Sequence, residues 1–290
     1  MKPTLISRRT KKIALITTAG LLLACLLLAA WAFVIEPNRL TVNEVTINLK
    51  DWPPAFERLR IALISDLHVG SPYIDSAKLQ RVVETTNATQ PDLILLAGDF
   101  MVTSGKESTV EPEIIAEGLK NLQARFGVFA VLGNHDWWYD GERVRAALSR
   151  VGIRVLENDV ARIEYEGHTL WLAGIADAWT RKPDIAGTLQ KVADDGPIIA
   201  LTHNPDIFPD IPARVALTLA GHTHGGQVSI PFVGRPQVPS QYGERYAIGH
   251  VEEGNRHLFV TPGVGTSILA VRFRVPPEIS ILTLTAQPAP

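Results

Sequence analysis

The chain has 290 residues, of which 46% are hydrophobic and 20% are charged, and its formal net charge is −2. Without an apolar segment near the amino terminus, about 250 residues remain, which favours one large domain over two small ones. The single cysteine, Cys25, excludes an intrachain disulfide and a cysteine-based metal site. No run of Lys or Arg follows residue 12, so a nucleic-acid-binding surface is not indicated.

Residues 13–35 form an apolar segment of 23 residues without a charge. At about 1.5 Å per residue, this length spans the hydrocarbon core of a bilayer, which predicts a membrane helix or an export signal. Residues 1–12 contain five basic side chains and no acidic one, and Glu36 follows the apolar run. The positive-inside rule then places residues 1–12 in the cytoplasm and residues 36–290 across the membrane.

Three interpretations of this segment compete with an uncleaved single-pass anchor. Residues 30–32, Ala-Trp-Ala, offer a small-residue cleavage site. Residues 22–25 resemble a lipoprotein box, but the apolar run continues for ten residues past Cys25. Residues 7–9 resemble the start of a twin-arginine signal, but lysines stand where that motif has Phe and Leu. The length of the run favours the uncleaved anchor.

The rest of the chain alternates short apolar runs with helical patterns. The runs predict buried strands at residues 61–64, 93–96, 128–131, 169–172, 198–201, 216–219, 257–260 and 279–282. Helical spacing marks residues 79–83 after a cap at Asp75 or Ser76, residues 115–122 after Pro112, residues 144–151 before Gly152, and residues 185–192 before Gly196. This order predicts an α/β sandwich, and the strand-rich carboxy-terminal third favours mixed sheets.

Five short stretches carry residues that can bind metal, and each follows an apolar run. They are Ser65-Asp66-Leu67-His68, Gly98-Asp99, Gly133-Asn134-His135-Asp136, Thr202-His203-Asn204 and Gly221-His222-Thr223-His224. Ligands at the strand tips of an open α/β sheet meet in one crevice. Because alternate side chains of an extended backbone point the same way, we expect Asp66 with His68, and His222 with His224, to present two ligands together.

The donor types restrict both the metal and the number of ions. Aspartate and histidine without thiolate suit Mn, Fe or Zn and argue against a structural zinc site. Three acidic or amide groups and four or five histidines are too many for one ion. We therefore expect two divalent ions about 3.5–4 Å apart that share a carboxylate. Such a pair polarises phosphoryl oxygens and lowers the pKa of a bridging water, which gives hydroxide for in-line attack on phosphorus.

In this order, the five stretches resemble the D-x-H, G-D, G-N-H-[DE], H and G-H-x-H blocks of the calcineurin-like metallophosphoesterase superfamily. The likeness to its envelope-associated bacterial phosphodiesterase branch rests on residues 221–227, 263–267 and 276–279. The resemblance implies a four-layer α/β/β/α sandwich with mixed sheets over residues 36–290, preceded by one transmembrane helix at residues 13–35. Together with the charge pattern, it implies a bacterial inner membrane location with a periplasmic catalytic domain.

The resemblance also implies a role for each residue of the site. Asp66, His68 and His224 would bind the first ion, Asn134, His203 and His222 the second, and Asp99 would bridge both. His135 would not be a ligand but would stabilise developing charge or protonate the leaving oxygen. Asp136 would hold the His135 ring in its working orientation.

The preferred function is hydrolysis of a phosphoester, soluble or lipid-linked, by a metal-bridging hydroxide at the extracytoplasmic side of the membrane. One alternative is a lipid-linked pyrophosphatase that resembles UDP-2,3-diacylglucosamine pyrophosphatase, whose substrate is cytoplasmic. Another alternative is a membrane-tethered binding module without activity. Descendants of that kind normally lose metal ligands, and none is missing from this sequence.

Residues beside the five stretches carry weaker signals. Residues 137–139, Trp-Trp-Tyr, are expected in the core, with a lip that contacts substrate or membrane as the alternative. Asp177 follows a predicted strand and is a lesser candidate for lining the cleft. We expect His250 and His257 to be exposed or at a strand edge, and residues 231–239 to form an ordered rim loop.

Overall fold

The computed structural model of the protein describes residues 8–103 and 107–287. Its α-helices are α1 (Arg8–Ala30), α2 (Ser76–Ala88), α3 (Pro112–Leu119), α4 (Asn134–Tyr139), α5 (Gly141–Arg150) and α6 (Ile185–Leu189). Its strands are β1 (Thr41–Leu49), β2 (Leu59–Ile64), β3 (Leu93–Leu96), β4 (Val128–Ala130), β5 (Arg154–Val155), β6 (Asp159–Tyr165), β7 (His168–Gly174), β8 (Ile198–Leu201), β9 (Leu217–Ala220), β10 (Gly249–Glu253), β11 (Arg256–Val260) and β12 (Glu278–Ala286).

The strands form two mixed sheets of six strands each. The first sheet has the order β1-β12-β2-β3-β4-β5, and only β12 and β2 pair antiparallel in it. The second sheet has the order β10-β11-β9-β8-β7-β6, with an antiparallel pair at each end and parallel strands in the centre. The prediction of mixed sheets is confirmed.

Three apolar cores separate the layers of the sandwich. Leu63 of β2 and Leu219 of β9 belong to the core between the two sheets. The next residue of β2, Ile64, faces the opposite way and packs in a core with side chains of α2, α3 and α5. The outer face of the second sheet packs against α6 and a 3₁₀ helix, Pro205–Asp210. This arrangement is the α/β/β/α sandwich that the sequence predicts.

The helix ends follow the local chemistry of the sequence. Asp75 is the residue that caps α2, since its Oδ1 accepts a hydrogen bond of 2.8 Å from Lys78 N. Pro112 occupies the first turn of α3, as expected. In contrast, α6 ends at Leu189 although apolar spacing continues to Val192. Gly187 inside this short helix lowers its helical propensity, and the chain turns toward β8 instead.

Helix α1 continues through a π-helical turn, Trp31–Ile35, and a 3₁₀ turn, Glu36–Asn38. In the described part of the chain, residues 8–38 form one helix that is long and apolar enough to cross a membrane. No residue of α1 is buried, so this helix does not serve as a core helix of the domain. Of the predicted basic segment 1–12, residues 1–7 lie outside the described residues.

Two buried charged residues fasten the end of this helix to the domain. Glu36 accepts hydrogen bonds from Trp31 Nε1 at 2.6 Å and from Val275 N at 2.7 Å. Arg272 N donates to Ala32 O at 3.0 Å. The buried Arg272 guanidinium donates to the carbonyl oxygens of Pro262, Gly263, Gly265 and Val275 at 2.6–3.1 Å. The loop that Arg272 organises therefore connects the helix end with the body of the domain.

Candidate metal centre

All five metal-capable stretches lie beyond the carboxyl ends of central strands from both sheets. Strand β2 leads to Asp66 and His68, β3 to Asp99, β4 to Asn134 and His135, β8 to His203, and β9 to His222 and His224. Except for the partly exposed His135, these side chains are buried. The structure thus brings every predicted site residue into one crevice between the two sheets.

One cluster of donor atoms forms around His68 and His224. Their Nε2 atoms lie 3.2 Å apart, and Asp66 Oδ1 lies 3.3 Å from His224 Nε2. Ligand atoms of a tetrahedral site with bonds of about 2.1 Å are roughly 3.4 Å apart, so this spacing fits a shared cation. Asp66 Oδ1 has no hydrogen-bond partner among the described residues although it is fully buried. A metal ion would satisfy this oxygen.

A second cluster forms around His203. Its Nε2 lies 3.2 Å from Asn134 Oδ1 and 3.1 Å from His222 Nδ1. Asp99 Oδ2 lies 3.3 Å from His203 Nε2 and 3.6 Å from His68 Nε2. This one oxygen therefore stands between the two clusters, which is the position of a carboxylate shared by two ions.

Backbone carbonyls determine which ring nitrogens face the clusters. His68 Nδ1 lies 3.3 Å from Met101 O, and His203 Nδ1 lies 2.7 Å from Ala97 O. Because a carbonyl oxygen only accepts, each of these Nδ1 atoms carries a proton. In the neutral ring, each Nε2 atom then retains a lone pair that is directed at the cluster, as in histidines that bind metal.

Burial and neighbouring charges set the pKa values of the ionisable side chains in the crevice. Burial lowers the pKa of His68 to about 4 and that of His222 to about 3, and it raises the pKa of Asp66 to about 6. Burial also opposes a charged His203, but the adjacent Asp99 raises the pKa of His203 well above its usual value. The aspartates thus attract positive charge to the centre of the crevice.

Five of the seven predicted ligands have a left-handed backbone conformation. The φ angles are 52° at Asp66, 44° at His68, 55° at Asp99, 70° at His222 and 51° at His224. Each non-glycine residue in this region costs on the order of 1–3 kcal/mol. The expectation that Asp66 with His68, and His222 with His224, converge through an extended backbone is therefore wrong. Tight left-handed turns bring each pair together instead.

Two glycines permit the close approach of neighbouring loops. A Cβ atom at Gly133 would lie 2.2 Å from Asp99 Oδ1, and one at Gly221 would lie 1.9 Å from Ser65 Oγ. Both distances are far below van der Waals contact, so any side chain there would push the loops apart. The crevice can close around its donor atoms only with glycine at these positions.

Asp136 does not orient the His135 ring, contrary to the sequence interpretation. Its buried Oδ2 accepts hydrogen bonds from Asp99 N and Gly133 N, and its Oδ1 accepts one from Phe100 N, each at 2.9 Å. Asp136 therefore joins the loop after β3 to the loop after β4. Since both loops carry predicted ligands, this carboxylate sets the distance between them.

His135 is positioned by a residue that the sequence analysis missed. Its Nδ1 lies 3.0 Å from Thr103 Oγ1, and its backbone N donates to Asp99 Oδ1 at 2.8 Å. Its ring lies edge-to-face with that of His68, with centroids 4.7 Å apart. Thr103 follows the Gly98-Asp99 stretch by four residues, and no pattern in the sequence distinguishes it from other loop threonines.

A cavity of about 470 Å³ opens over the two clusters. Trp138 and Trp179 stand at its sides, with ring centroids 4.7 Å from that of His135 and 4.3 Å from that of His222. Both indoles are exposed to a large extent. Trp138 thus belongs to a lip of the site, which was the alternative to the expected core position for this residue.

Asp177 supports this lip without lining the cavity. It is fully buried, and its Oδ2 accepts hydrogen bonds from Trp179 N at 3.1 Å and from Thr180 N at 2.9 Å. His257, which was expected to be exposed or at a strand edge, is buried in β11, and β11 lies between β10 and β9. Its ring stacks on that of His250 at the amino-terminal end of β11, away from the strand ends that form the site.

Comparison with known proteins accounts for this arrangement. A family model described as calcineurin-like phosphoesterase matches residues 59–226, which include every predicted ligand. The chain belongs to this family. It is therefore a metal-dependent phosphoester hydrolase with the metallophosphoesterase fold.

The relatives include bacterial and animal proteins. The chain is 33% identical over 259 residues to the Bacillus subtilis protein named uncharacterized metallophosphoesterase YkuE, covering 88% of each chain. It is 32% identical over 233 residues to phosphodiesterase YaeI of Escherichia coli, covering 78% of this chain and 82% of that protein. A zebrafish transmembrane protein with a metallophosphoesterase domain is 31% identical over 300 residues, which cover 96% of this chain and 63% of that protein.

Among solved structures, the chain is similar to the NAD nucleotidase NadN of Haemophilus influenzae. The identity is 14%, the TM-score is 0.46, and the match covers 71% of this chain and 51% of that one.

We predict that Asp136→Asn destabilises the protein by about 2–3 kcal/mol. An amide cannot accept from all three backbone N–H groups, so at least one stays buried without a partner. Thermal unfolding of the purified chain in detergent measures this loss. Asp140→Asn is the matched control, because the exposed Asp140 caps α5 and asparagine caps a helix equally well. Equal stability of the two variants would contradict the role of Asp136.

Proposed function

We propose that this chain is a phosphodiesterase that uses two divalent metal ions and acts on the extracytoplasmic side of a membrane. The observation that carries the proposal is the position of Asp99 Oδ2 between His68 and His203. In this proposal, Asp66, His68 and His224 hold one ion, Asn134, His203 and His222 hold the other, and Asp99 holds both. Mn, Fe and Zn all suit this set of donors.

The donor set supports a cation at each cluster. Ring nitrogens such as those of His68 and His224 face one another at 3.2 Å, a contact that two lone pairs do not favour without a shared proton or cation. Two ions bound there would withdraw charge from a phosphoryl group and supply hydroxide for attack on phosphorus at neutral pH. The buried walls exclude water and strengthen these electrostatic effects.

His135 is placed to act on the leaving group. Thr103 occupies its Nδ1, which leaves Nε2 to exchange a proton with an oxygen in the cavity. Burial lowers the pKa of His135, whereas the charge of Asp99 favours the protonated ring. A bound phosphate anion would favour that form further, and a protonated ring can then donate to the departing oxygen.

Two findings support a phosphodiester as the substrate. The Escherichia coli relative carries the name phosphodiesterase. The cavity also extends from the clusters to Trp138 and Trp179, which gives room for a group on each side of the phosphorus. The complete set of donors favours this enzyme over a tethered binding module.

We predict that the purified full chain hydrolyses bis-p-nitrophenyl phosphate when Mn or Zn is added. Asp99→Asn should lower kcat by roughly 10³-fold, because it weakens the carboxylate that both ions share. The release of p-nitrophenolate measures both rates. Asp195→Asn changes an exposed carboxylate before β8, at the opposite end of that strand from His203, and should retain full activity. A wild-type chain without metal-stimulated turnover would refute the proposed activity.

We also predict that His135→Ala lowers kcat by about 10²-fold or more for a diester with an alkoxide leaving group. The loss should be smaller with p-nitrophenolate, which departs without a proton. The metal content should stay unchanged. A ring nitrogen of His135 lies within 4.8 Å of the ligand atoms of His68 and Asp99, so this result distinguishes a proton donor from a ligand. Equal losses on both substrates together with loss of metal would make His135 a ligand.

The proposal includes residues 13–35 as an uncleaved anchor and residues 36–290 as a domain on the periplasmic side of a bacterial inner membrane. The exposed α1 and the name of the zebrafish relative support the anchor, and the five basic residues before the apolar run support its orientation. We predict that alkaline phosphatase fused to the carboxy terminus is active in cells, whereas a green fluorescent protein fusion exported by the same route stays dark. The opposite pattern would place the domain in the cytoplasm and favour the lipid-linked pyrophosphatase.

A further inference from the structure

Two apolar tips project from loops beside the cavity. The first tip is Phe232 with Val233, and the second tip is Ile268 with Leu269. Phe232 is fully exposed and Ile268 is 98% exposed. Large apolar side chains that cluster at the surface mark a place where a protein meets another apolar phase.

Backbone contacts hold both tips in place. Ile230 pairs with Gly234 across the first tip, and Ser229 N donates to Phe273 O at 2.9 Å. Leu269 O of the second tip accepts a hydrogen bond of 3.1 Å from Gln227 Nε2. Both tips are therefore attached to one strip of chain around residues 269–273.

The backbone at each tip is also strained. Phe232 has a φ of 66° and Ile268 a φ of 62°, a region that bulky and β-branched residues avoid. Two large apolar side chains thus point outward from strained backbone positions. In water, neither the strain nor the exposure would be compensated.

The same strip of chain contacts the end of the membrane helix. The Tyr73 hydroxyl contacts the carbonyl oxygens of both Phe33 and Ala270, the latter at 3.0 Å. Arg272 N donates to Ala32 O at 3.0 Å. The second tip ends at Leu269, one residue before Ala270, so it adjoins the segment that contacts the helix end.

The helix end itself carries the side chains typical of a membrane surface. The Arg39 guanidinium lies 5.6 Å from the centroid of the Trp31 ring, and both side chains are exposed. Tryptophan is enriched at the level of lipid headgroups, and arginine beside it can act as an interfacial anchor. The membrane boundary at α1 therefore passes beside the two tips.

The cavity connects the second tip with the metal-capable clusters. Ile268 and Leu269 line its rim, while Asp99, Asn134 and His222 line its floor. A molecule that fills this cavity meets apolar side chains on the membrane side and charged donors at the bottom. A lipid with a phosphodiester headgroup has this distribution of polarity.

We infer that the two tips insert into the bilayer that α1 enters, and that the substrate is a phosphodiester lipid of that bilayer. This inference rests on the proposed function and on α1 as the anchor. The acyl chains stay in the membrane beside the tips, and the headgroup reaches the floor of the cavity. Hydroxide forms a bond to phosphorus, one ester P–O bond breaks, and the departing alkoxide takes a proton from His135. One product retains the phosphate as a monoester.

Insertion can be measured with the full chain in vesicles of phosphatidylcholine and phosphatidylglycerol. In a Cys25→Ser background, Phe232→Cys and Ile268→Cys each receive a nitrobenzoxadiazole label, and Ile114→Cys on α3 is the matched exposed control. We expect lipids with a doxyl group in the acyl chain to quench the labels at 232 and 268 at least threefold more strongly than the label at 114. Equal quenching at all three positions would overturn insertion.

The substrate class is tested with Phe232→Ser/Val233→Ser, because neither residue lines the cavity. We expect this variant to lose about tenfold in kcat/KM on phosphatidylglycerol in vesicles and to stay within twofold of wild type on bis-p-nitrophenyl phosphate. Ile114→Ser should retain both activities.

Assays of the wild-type chain distinguish the lipid inference from the proposed function. Hydrolysis of bis-p-nitrophenyl phosphate without hydrolysis of phosphatidylglycerol or phosphatidylethanolamine in vesicles would overturn the lipid inference and leave the proposed function standing. Equal losses of the tip variant on both substrates would also overturn it. Absence of metal-stimulated hydrolysis of every substrate would refute the proposed function itself.

Discussion

Seven nitrogen and oxygen donors converge in one buried crevice between the two sheets, and this convergence constrains the rest of the structure. The Oδ2 atom of Asp99 lies 3.3 Å from one histidine nitrogen and 3.6 Å from another. Buried donors at such distances repel one another or stay unsatisfied unless a cation compensates them. The left-handed backbone at five of these residues adds strain. We therefore expect metal binding to stabilise the folded chain.

The geometry of the centre depends on how the two sheets pack. Asp66, Asp99 and Asn134 follow strands of the first sheet, whereas His203 and His222 follow strands of the second. The apolar core between the sheets thus sets the distance between donors of different sheets. Within the first sheet, the Asp136 carboxylate joins two loops through backbone N–H groups. Gly133 and Gly221 then let neighbouring loops approach to distances that a side chain would prevent.

The sequence predicted the parts of this protein that follow from local pattern. Uniform apolar runs located the central strands, and the polar residues directly after them located the site. It did not predict the left-handed turns at Asp66 and His68, because a D-x-H pattern has the same spacing in an extended strand. Thr103 and Trp179 were missed as well, since loop contacts across distant segments leave no periodic signal. The role predicted for Asp136 was wrong for a similar reason, because two of its three partners are backbone N–H groups of the loop after β3.

We propose that the crevice holds two ions that share Asp99. The most direct measurement is the metal content of the full chain, purified in detergent, saturated with Mn or Zn and freed of excess metal, by inductively coupled plasma mass spectrometry. We expect two ions per chain in the wild type and fewer in Asp99→Asn. The metal content of Asp195→Asn should equal that of the wild type. A content of one ion per chain in a wild type that is fully active would contradict this proposal.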